Sequence, residues 1–291
     1  MKSNLECILC YGRSALFLTE RFALPEEKKE ALIRALLREI ADSDFNDPPP
    51  VNARRTHEVI FAFTGEADPF KEEKDRSTAY AKLLLEQFQA DPDFLKGDSF
   101  EKRVRLAIAG NIIDYGVNSR FDLESAKDQI RATLEEDLEK ESLDALRNAM
   151  EKAKKILYIT DNCGEAVFDT LLMQEFREKI TCAVRGRPTL NDVTMAEAIP
   201  SGLDKACMRL IDTGDNTPGI DLKRSSPEFL ESYQNADLVI AKGQGNFETL
   251  CEEKEQCIFF LFRAKCPVVA ERAGGVPLGK SCIRIINAHG K

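Results

Sequence analysis

The second half of the chain alternates short apolar runs with stretches of helical spacing, and this alternation restricts the fold more than any other feature. Such a pattern needs crossover connections and is typical of a mostly parallel sheet covered by helices. The predicted strands are Ile156–Thr160, Ile180–Val184, Met208–Asp212, Leu238–Ala241, Ile258–Phe262, Val268–Ala270 and Cys282–Ile286. Predicted helices between them include Glu165–Glu175, Pro227–Gln234 and Asn246–Glu252.

The first half of the chain has a helical pattern instead. From Pro25 to Asp42 apolar residues recur at helical spacing, and proline suits a first helical turn. Further helices are predicted at about Ala53–Phe63, Asp75–Phe88, Ser99–Ile113, Leu123–Leu138 and Ser142–Lys154. The change of pattern predicts an α/β protein with a helical domain over residues 1–152 and an α/β domain over residues 153–291.

The charge balance excludes some partners. The chain carries 41 basic and 50 acidic residues, a formal net charge of -9, whereas nonspecific nucleic-acid binding needs a basic surface. No apolar run approaches the roughly 18 residues of a membrane helix, and the N-terminus lacks the apolar core of a signal peptide. We therefore expect a cytoplasmic protein that binds neither nucleic acid nor membrane.

The nine cysteines and two histidines also limit the chemistry. Scattered cysteines in a cytosolic protein are typical of reduced thiols, and two histidines nearly exclude a histidine-rich zinc site. The spacing Cys7-Ile8-Leu9-Cys10 would suit metal binding or redox chemistry, but one pair is only half of a four-cysteine site. We favour a buried helical pair at Cys7 and Cys10.

Polar residues and glycines follow four of the predicted strands. Ligands bind beyond the carboxyl ends of the strands in an open parallel sheet, so these four segments are expected to form one site. The segments are Asp161-Asn162-Cys163-Gly164-Glu165, Arg185-Gly186-Arg187-Pro188 continuing to Asn191-Asp192, Lys242-Gly243-Gln244-Gly245-Asn246, and Arg263-Ala264-Lys265-Cys266-Pro267.

Asp161, Asn162 and Asp192 offer hard oxygen ligands. Such a set suits Mg²⁺ or Mn²⁺ completed by water and fits Zn²⁺ or Cu²⁺ poorly. As an alternative, Asp161 and Asn162 cap a helix that starts near Gly164, and Asp192 caps one at Val193. The joint pattern favours a metal site.

The Lys242–Asn246 segment suits a phosphate group. Its two glycines let backbone amides approach a ligand, a helix follows, and Lys242 and Lys265 would add positive charge. The segment matches neither a dinucleotide fingerprint nor a Walker loop. On spacing alone, a plain tight turn remains the alternative.

Two further segments could contribute to the site, on weaker sequence evidence. Asn111 and Asp114 share a helix face at i,i+3 spacing, so they either form a polar helix end or reach into the cleft between the domains. The Gly214–Gly219 segment is a long loop after a strand, where substrate contacts are common.

Five segments together resemble the damage-control phosphatases, and the resemblance spans almost the whole chain. In order, they are Gly110-Asn111-x-x-Asp114, Asp161-Asn162-x-Gly164-Glu165, Arg185-Gly186-x-Pro188-x-x-Asn191-Asp192, Lys242-Gly243-x-Gly245-Asn246 and Lys265-Cys266-Pro267. The early Cys7-x-x-Cys10 and the compact length are similar to the stand-alone prokaryotic branch of this family. That branch is related to the phosphatase domain fused to some pantothenate kinases.

The resemblance implies a fold, a reaction and a set of roles. It implies a helical N-terminal domain followed by a Rossmann-like three-layer α/β/α domain, with the site in the cleft between them. It also implies divalent metal-dependent hydrolysis of small phosphorylated metabolites, often damaged ones, with Mg²⁺, Mn²⁺, Co²⁺ or Ni²⁺ as the ion. The implied metal ligands are Asp161, Asn162 and Asp192, the phosphate contacts Lys242, Gly243, Gly245, Asn246 and Lys265, and the residues lining the site Asn111, Asp114 and Glu165.

The resulting hypothesis is hydrolysis of a sugar phosphate, a phosphopantetheine-type ester or a nucleotide-type phosphomonoester. Glu165 or Asp192 would orient the attacking water, and Lys242 would stabilise phosphoryl charge. Cys163 stands where an Asp-x-Asp nucleophile motif would need its second aspartate, so an aspartyl-phosphate route is disfavoured. The alternatives are an S-adenosylmethionine-dependent methyltransferase and a non-catalytic phosphometabolite-binding protein.

Overall fold

Helices make up the N-terminal half of the chain. The computed structural model describes residues 1–90, 99–110 and 123–288. The helices of this half are α1 Leu5–Arg21, α2 Glu26–Ala41, α3 Pro49–Thr64, α4 Lys71–Ala90, α5 Ser99–Ala109, α6 Leu123–Leu134 and α7 Lys140–Lys152. Within the described ranges, none of the helices combines the length and the apolar character needed to cross a bilayer.

Local sequence signals explain several helix ends. Asn4 caps α1 by accepting hydrogen bonds from the backbone N–H groups of Glu6 and Cys7. Two prolines in its first turn begin α3, which ends at Gly65 in the left-handed conformation. Cys7 and Cys10 are helical as expected, but Cys7 is only half-buried and Cys10 is exposed, so the expected burial of this pair is wrong.

The C-terminal half forms a six-stranded sheet of order β3-β2-β1-β4-β5-β6. Strands β1 to β5 are parallel, and β6 pairs antiparallel with β5 at one edge. The elements are β1 Ile156–Ile159, α8 Glu165–Gln174, β2 Ile180–Val184, α9 Met195–Ser201, α10 Leu203–Ala206, β3 Arg209–Asp212, α11 Pro227–Gln234, β4 Leu238–Lys242, α12 Gly243–Leu250, β5 Ile258–Arg263, α13 Pro267–Arg272 and β6 Ser281–Ile286. This architecture confirms the predicted α/β class with a mostly parallel sheet.

One predicted strand is wrong. Residues Val268–Ala270 lie within helix α13, which begins at Pro267. A short buried apolar run is compatible with a strand or a helix, and Val269 and Ala270 are buried in either case. Proline in the first turn and the short length of the segment favour the helix.

The strand order reverses between β1 and β4. From β1 the chain proceeds outward through β2 and β3, then returns to place β4 on the other side of β1. The connections after β1 and β4 therefore leave the sheet in opposite directions. This arrangement opens a crevice at the carboxyl ends of the two central strands, where ligands bind in folds of this kind.

Apolar layers cover both faces of the sheet. On one face Ile156 and Tyr158 of β1 share a core with Val104 of α5 and Leu146 of α7. On the other face β1 and β4 share a core with Phe229 of α11 and Phe247 of α12, among others. A separate core joins α1, α2 and α3, while α4 and α5 pack on α8. Helices α5 and α7 are thus structural parts of the α/β layer.

His57 connects α3 to the segment after β2. The ring is buried, and its Nδ1 lies 3.4 Å from the Thr189 hydroxyl. Burial lowers the pKa of His57 from 6.5 to about 4, because the charged imidazolium would lose its hydration. The folded protein therefore keeps this ring neutral at a pH where the unfolded chain binds a proton.

We expect His57 to make the protein less stable in mild acid. The pKa of His57 is depressed on folding, so its contribution is complete above pH 6.5 and is lost as the pH falls towards about 4. The loss amounts to at most about 3 kcal/mol in the free energy of unfolding. Urea unfolding at pH 7 and pH 4.5 should show a smaller decrease for His57→Gln than for the wild type. Equal decreases in the two proteins would contradict this assignment.

Candidate active site

The three predicted metal ligands come together at the carboxyl end of the sheet. Asp161 and Asn162 follow β1, and Asp192 lies in the connection after β2. Asn162 and Asp192 form an antiparallel backbone bridge, and the Val193 N–H donates to the Asp161 carbonyl at 2.9 Å. All three ligand candidates are buried. Backbone hydrogen bonds therefore fix the two segments against each other, whatever their side chains bind.

The Asn162 side chain is oriented by two carboxylates. Its Nδ2 donates to Oδ2 of Asp161 at 2.9 Å and to Oε2 of Glu165 at 3.4 Å. Because the amide nitrogen makes both contacts, the amide oxygen is directed away from them. This orientation suits a carbonyl ligand for a hard cation.

Arg185 is a buried residue that hydrogen-bonds to several parts of the site. It belongs to one of the sequence motifs, but no role was predicted for it. Its Nε donates to Asp192 Oδ2 at 2.7 Å, and its Nη2 donates to Asn246 Oδ1 at 3.1 Å. Its Nη1 donates to the Gly219 carbonyl at 2.9 Å, and Nη2 lies 3.6 Å from Asp161 Oδ1. One guanidinium group thus links the candidate metal ligands to the glycine-rich segment and to the end of the Gly214–Gly219 loop.

The glycine-rich segment touches Asp161 directly. Gly243 has a φ of +77°, and a Cβ added there would lie 1.9 Å from Asp161 Oδ2. Gly243 is also the first residue of α12, so the segment is the first turn of the helix and does not precede it as predicted. The N–H groups of a first turn have no acceptor within the helix, and they can bind an anion beside Asp161.

Lys242 lies beneath the site. Its side chain is fully buried, and Nζ donates to the Ala107 carbonyl at 2.6 Å, Glu165 Oε1 at 2.5 Å and Asp169 Oδ1 at 2.7 Å. An ammonium group has three donors, and these acceptors use all of them. The structure therefore differs from the predicted direct contact with phosphate: Lys242 holds Glu165.

Tyr158 and Asp169 complete this buried network and were missed by the sequence analysis. The Tyr158 hydroxyl donates to Asp169 Oδ1 at 2.8 Å. Burial raises the pKa of Asp169 to about 6, although the neighbouring Lys242 charge opposes this rise. Two features of the sequence could have predicted this network: Asp169 is a carboxylate within the apolar stretch of α8, and Tyr158 is a tyrosine within the apolar strand β1.

Charged side chains are buried together at the site. Among the described residues these are the carboxylates Asp161, Asp192, Glu165 and Asp169 and the cations Arg185 and Lys242. Burial, followed by the charges of Asp192 and Glu165, raises the pKa of Asp161 well above its usual range. A divalent cation would favour the charged form of Asp161, and the oxygen donors suit Mg²⁺ or Mn²⁺.

The proposed metal site needs the amide oxygen of Asn162 as its third protein ligand. In the described part of the chain, no group of three or more histidine, cysteine, aspartate or glutamate side chains is arranged to hold a metal ion. Two aspartates and one asparagine are a different set, and water would complete the coordination shell of a hard cation. The residues therefore fit Mg²⁺ better than a thiophilic metal.

Lys265 lies in the segment that follows β5. Its exposed side chain carries a positive charge that lowers the pKa of Asp161, against the larger effect of burial. The Lys265 backbone N–H donates to Gln244 Oε1 at 2.8 Å, which joins the end of β5 to the first turn of α12.

Two other predicted site residues, Asn111 and Asp114, lie outside the residues that the structure describes.

The chain is similar in sequence to known proteins over most of its length. A family model described as a damage-control phosphatase ARMT1-like domain matches residues 3–279. A damage-control phosphatase of Pyrococcus horikoshii is 35% identical over 284 residues, covering 96% of each chain. One from Archaeoglobus fulgidus is 33% identical over 246 residues, covering 81% of this chain and 83% of the relative.

A solved structure supports the same relationship. The crystal structure of a DUF89 family protein from Pyrococcus horikoshii superposes with a TM-score of 0.87 at 33% sequence identity. The match covers 97% of this chain and 98% of that one. The shared fold and the sequence matches over nearly the whole chain show that this protein belongs to the damage-control phosphatase family.

Proposed function

We propose that this chain is a metal-dependent phosphatase that hydrolyses a phosphomonoester of a small metabolite: a sugar phosphate, a phosphopantetheine-type ester or a nucleotide. One observation carries the proposal: the segments of Asp161, Asn162 and Asp192 are bridged together, and Asp161 lies against the first turn of α12. A cation held by these residues would therefore adjoin an anion bound at that turn. The names of the relatives support phosphate release from damaged metabolites.

Asp161, Asn162 and Asp192 are the residues that would hold the ion. A divalent cation bound there would supply Lewis-acid stabilisation of the phosphoryl charge and activation of the attacking water. Asp161 contributes a carboxylate whose pKa is raised by burial and by its acidic neighbours, so ion binding favours its charged form. Arg185 keeps Asp192 in place through the 2.7 Å contact.

The first turn of α12 and Lys265 would bind the phosphoryl group. The first-turn N–H groups of α12 have no acceptor within the helix, and the Lys265 ammonium would add a full charge. Preorganised donors of this kind stabilise the charge that develops on the equatorial oxygens of a transferring phosphoryl group. Asn246 donates to the Thr160 carbonyl just after β1, and Gln244 accepts from the Lys265 backbone just after β5, so both residues support the turn.

Asp192 is the better candidate for orienting the attacking water. Glu165 is fully buried, with Oε1 bound to Lys242 and Oε2 bound to Asn162. Those contacts make Glu165 a positioning residue that directs the Asn162 amide. Lys242 acts one step further away, because it neutralises and fixes Glu165.

Replacing a candidate metal ligand should separate activity from folding. In Asp161→Asn and Asp192→Asn, hydrolysis of p-nitrophenyl phosphate with Mg²⁺ or Mn²⁺ should fall about a hundredfold or more. Asp161→Asn should nevertheless keep its metal-free Tm, because the amide resembles the protonated acid that the buried site favours. The exposed Asp144→Asn is the matched control. Near wild-type rates in either variant would refute the site.

Metal dependence has its own test. After chelation by EDTA, phosphate release should stop, and it should return on addition of Mg²⁺, Mn²⁺, Co²⁺ or Ni²⁺. The same ions should raise the Tm of the wild type, because a ligand that binds only the folded state stabilises it, and should not raise that of Asp161→Asn. Full activity in EDTA would contradict the proposal, and calorimetric binding of S-adenosylmethionine would favour the methyltransferase alternative.

The contact between Gly243 and Asp161 gives a third test. Gly243→Ala places a Cβ on the Asp161 carboxylate, so activity should fall about a hundredfold, as displacements near 1 Å can cause. Gly65→Ala is the matched control, because its φ of +71° gives a similar backbone strain with no atom within 4 Å of the added Cβ. Equal activity of the two variants would show that the glycine turn does not adjoin the reacting group.

A further inference from the structure

The segment of residues 189–197 carries Asp192 and contacts the N-terminal helices on both sides of it. Leu190 has a φ of +41°, in the left-handed region that favours glycine. Its side chain packs against the core of α1, α2 and α3, and the buried Thr189 hydroxyl lies 3.4 Å from His57 Nδ1. A strained backbone of this kind persists where the surrounding structure maintains it. The helices therefore fix the chain just before Asp192.

A buried ion pair holds the same segment just after Asp192. Lys74 of α4 is fully buried, and its Nζ donates to Asp68 Oδ2 at 2.9 Å and lies 3.8 Å from Glu197 Oε2. Glu197 is also buried, and its Oε2 accepts from the Thr194 backbone N–H at 3.1 Å and from the Thr194 hydroxyl at 2.6 Å. These contacts connect α4 to the residue that caps α9.

Thr194 is joined in turn to the candidate metal ligands. It forms a parallel backbone bridge with Arg185, whose Nε donates to Asp192 Oδ2 at 2.7 Å. The carbonyl of the intervening Val193 accepts from the Arg185 N–H at 2.8 Å, and the Val193 N–H donates to the Asp161 carbonyl at 2.9 Å. A shift of Thr194 would therefore move Asp192 relative to Arg185 and Asp161.

The charge of Lys74 keeps Glu197 in place. A buried carboxylate that loses its counter-charge is costly, so it protonates or moves towards water. Lys71 also approaches Glu197, with Nζ 3.9 Å from Oε1, but its side chain is half exposed and its ammonium group binds Asp75. Lys74 is therefore the buried counter-charge of Glu197, whereas the partly exposed Asp68 can be hydrated without it.

We propose that Lys74, acting through Glu197, is a positioning residue for Asp192, so that helix α4 sets the affinity of the candidate site for its divalent cation. This inference rests on the proposed function, because it takes Asp192 as a ligand of that ion. Replacing a residue that orients a metal ligand typically changes metal affinity by about 10- to 100-fold. The N-terminal helices thus contribute to a site whose candidate metal ligands all lie in the C-terminal half.

The first test measures Mn²⁺ binding by the full chain, from the electron paramagnetic resonance signal of the free ion. Lys74→Met removes the charge and keeps the length of the side chain, so the Kd for Mn²⁺ should rise about tenfold or more. Adding Glu197→Gln to Lys74→Met should recover most of this loss, because the amide keeps an acceptor for Thr194 and needs no counter-charge. A simple loss of packing at Lys74 would not be recovered in this way. Asp161→Asn identifies the binding that belongs to the candidate site.

A second variant leaves Lys74 in place. Thr194→Val removes the 2.6 Å contact with Glu197 at nearly constant volume, so the Kd for Mn²⁺ should again rise about tenfold or more. Ser226→Ala is the matched control, because it removes the N-cap of α11 and should lower the Tm without changing the Kd. Lys82→Met removes an exposed charge from α4 and should behave as the wild type.

Hydrogen exchange of the metal-free protein gives a readout that depends on neither the ion nor activity. In Lys74→Met the amides of Asp192, Val193 and Thr194 should exchange about tenfold faster or more, and adding Glu197→Gln should slow them again. Unchanged exchange and an unchanged Kd in Lys74→Met, or a loss that Glu197→Gln does not recover, would overturn this inference alone. A wild type that binds no Mn²⁺ would overturn the proposed function, and this inference with it.

Discussion

The buried ion pairs at the carboxyl ends of β1, β2 and β4 are the constraint on which this structure depends. Lys242 and Arg185 are cations with almost no exposed surface, and each needs several acceptors to offset lost hydration. Lys242 obtains them from α5 and α8, and Arg185 from the connections after β2, β3 and β4. Removing either partner would leave an uncompensated buried charge. These pairs therefore fix the geometry of the crevice more than they add net stability.

The fold and the meeting of the strand ends could be predicted because periodicity and topology determine them. Alternating apolar runs require crossovers, crossovers place the carboxyl ends of parallel strands at one edge, and Asp161 and Asp192 meet there. The wrong secondary-structure prediction has a local cause: a short apolar run does not distinguish a strand from a helix. Three apolar residues around Val269 fit a strand or a helix equally well, and only their place after Pro267 and against the sheet decides between them.

The depth of Lys242 could not be predicted from its position after β4. A lysine at the end of a strand normally reaches solvent, and here α5 closes over it. The last turns of α5 come so close to α8 that a Cβ on Gly110 would lie 2.8 Å from the Glu165 Cα, and Ala107 supplies a carbonyl to Lys242. That approach is a tertiary contact between segments far apart in sequence. Residue type and spacing therefore brought Lys242 to this edge of the sheet, but they could not show that its ammonium group is bound inside the protein.

Helix α12 joins the candidate site to the segment after β5. Its first turn lies against Asp161, where a Cβ on Gly243 would meet the carboxylate. Gln244 in the same turn accepts a hydrogen bond from the Lys265 backbone N–H through Oε1, and its Nε2 contacts Glu248 and Cys266. One side chain therefore holds the turn proposed to bind phosphate against the segment that carries Lys265. Because these contacts join segments far apart in sequence, the spacing of the motifs alone could not reveal them.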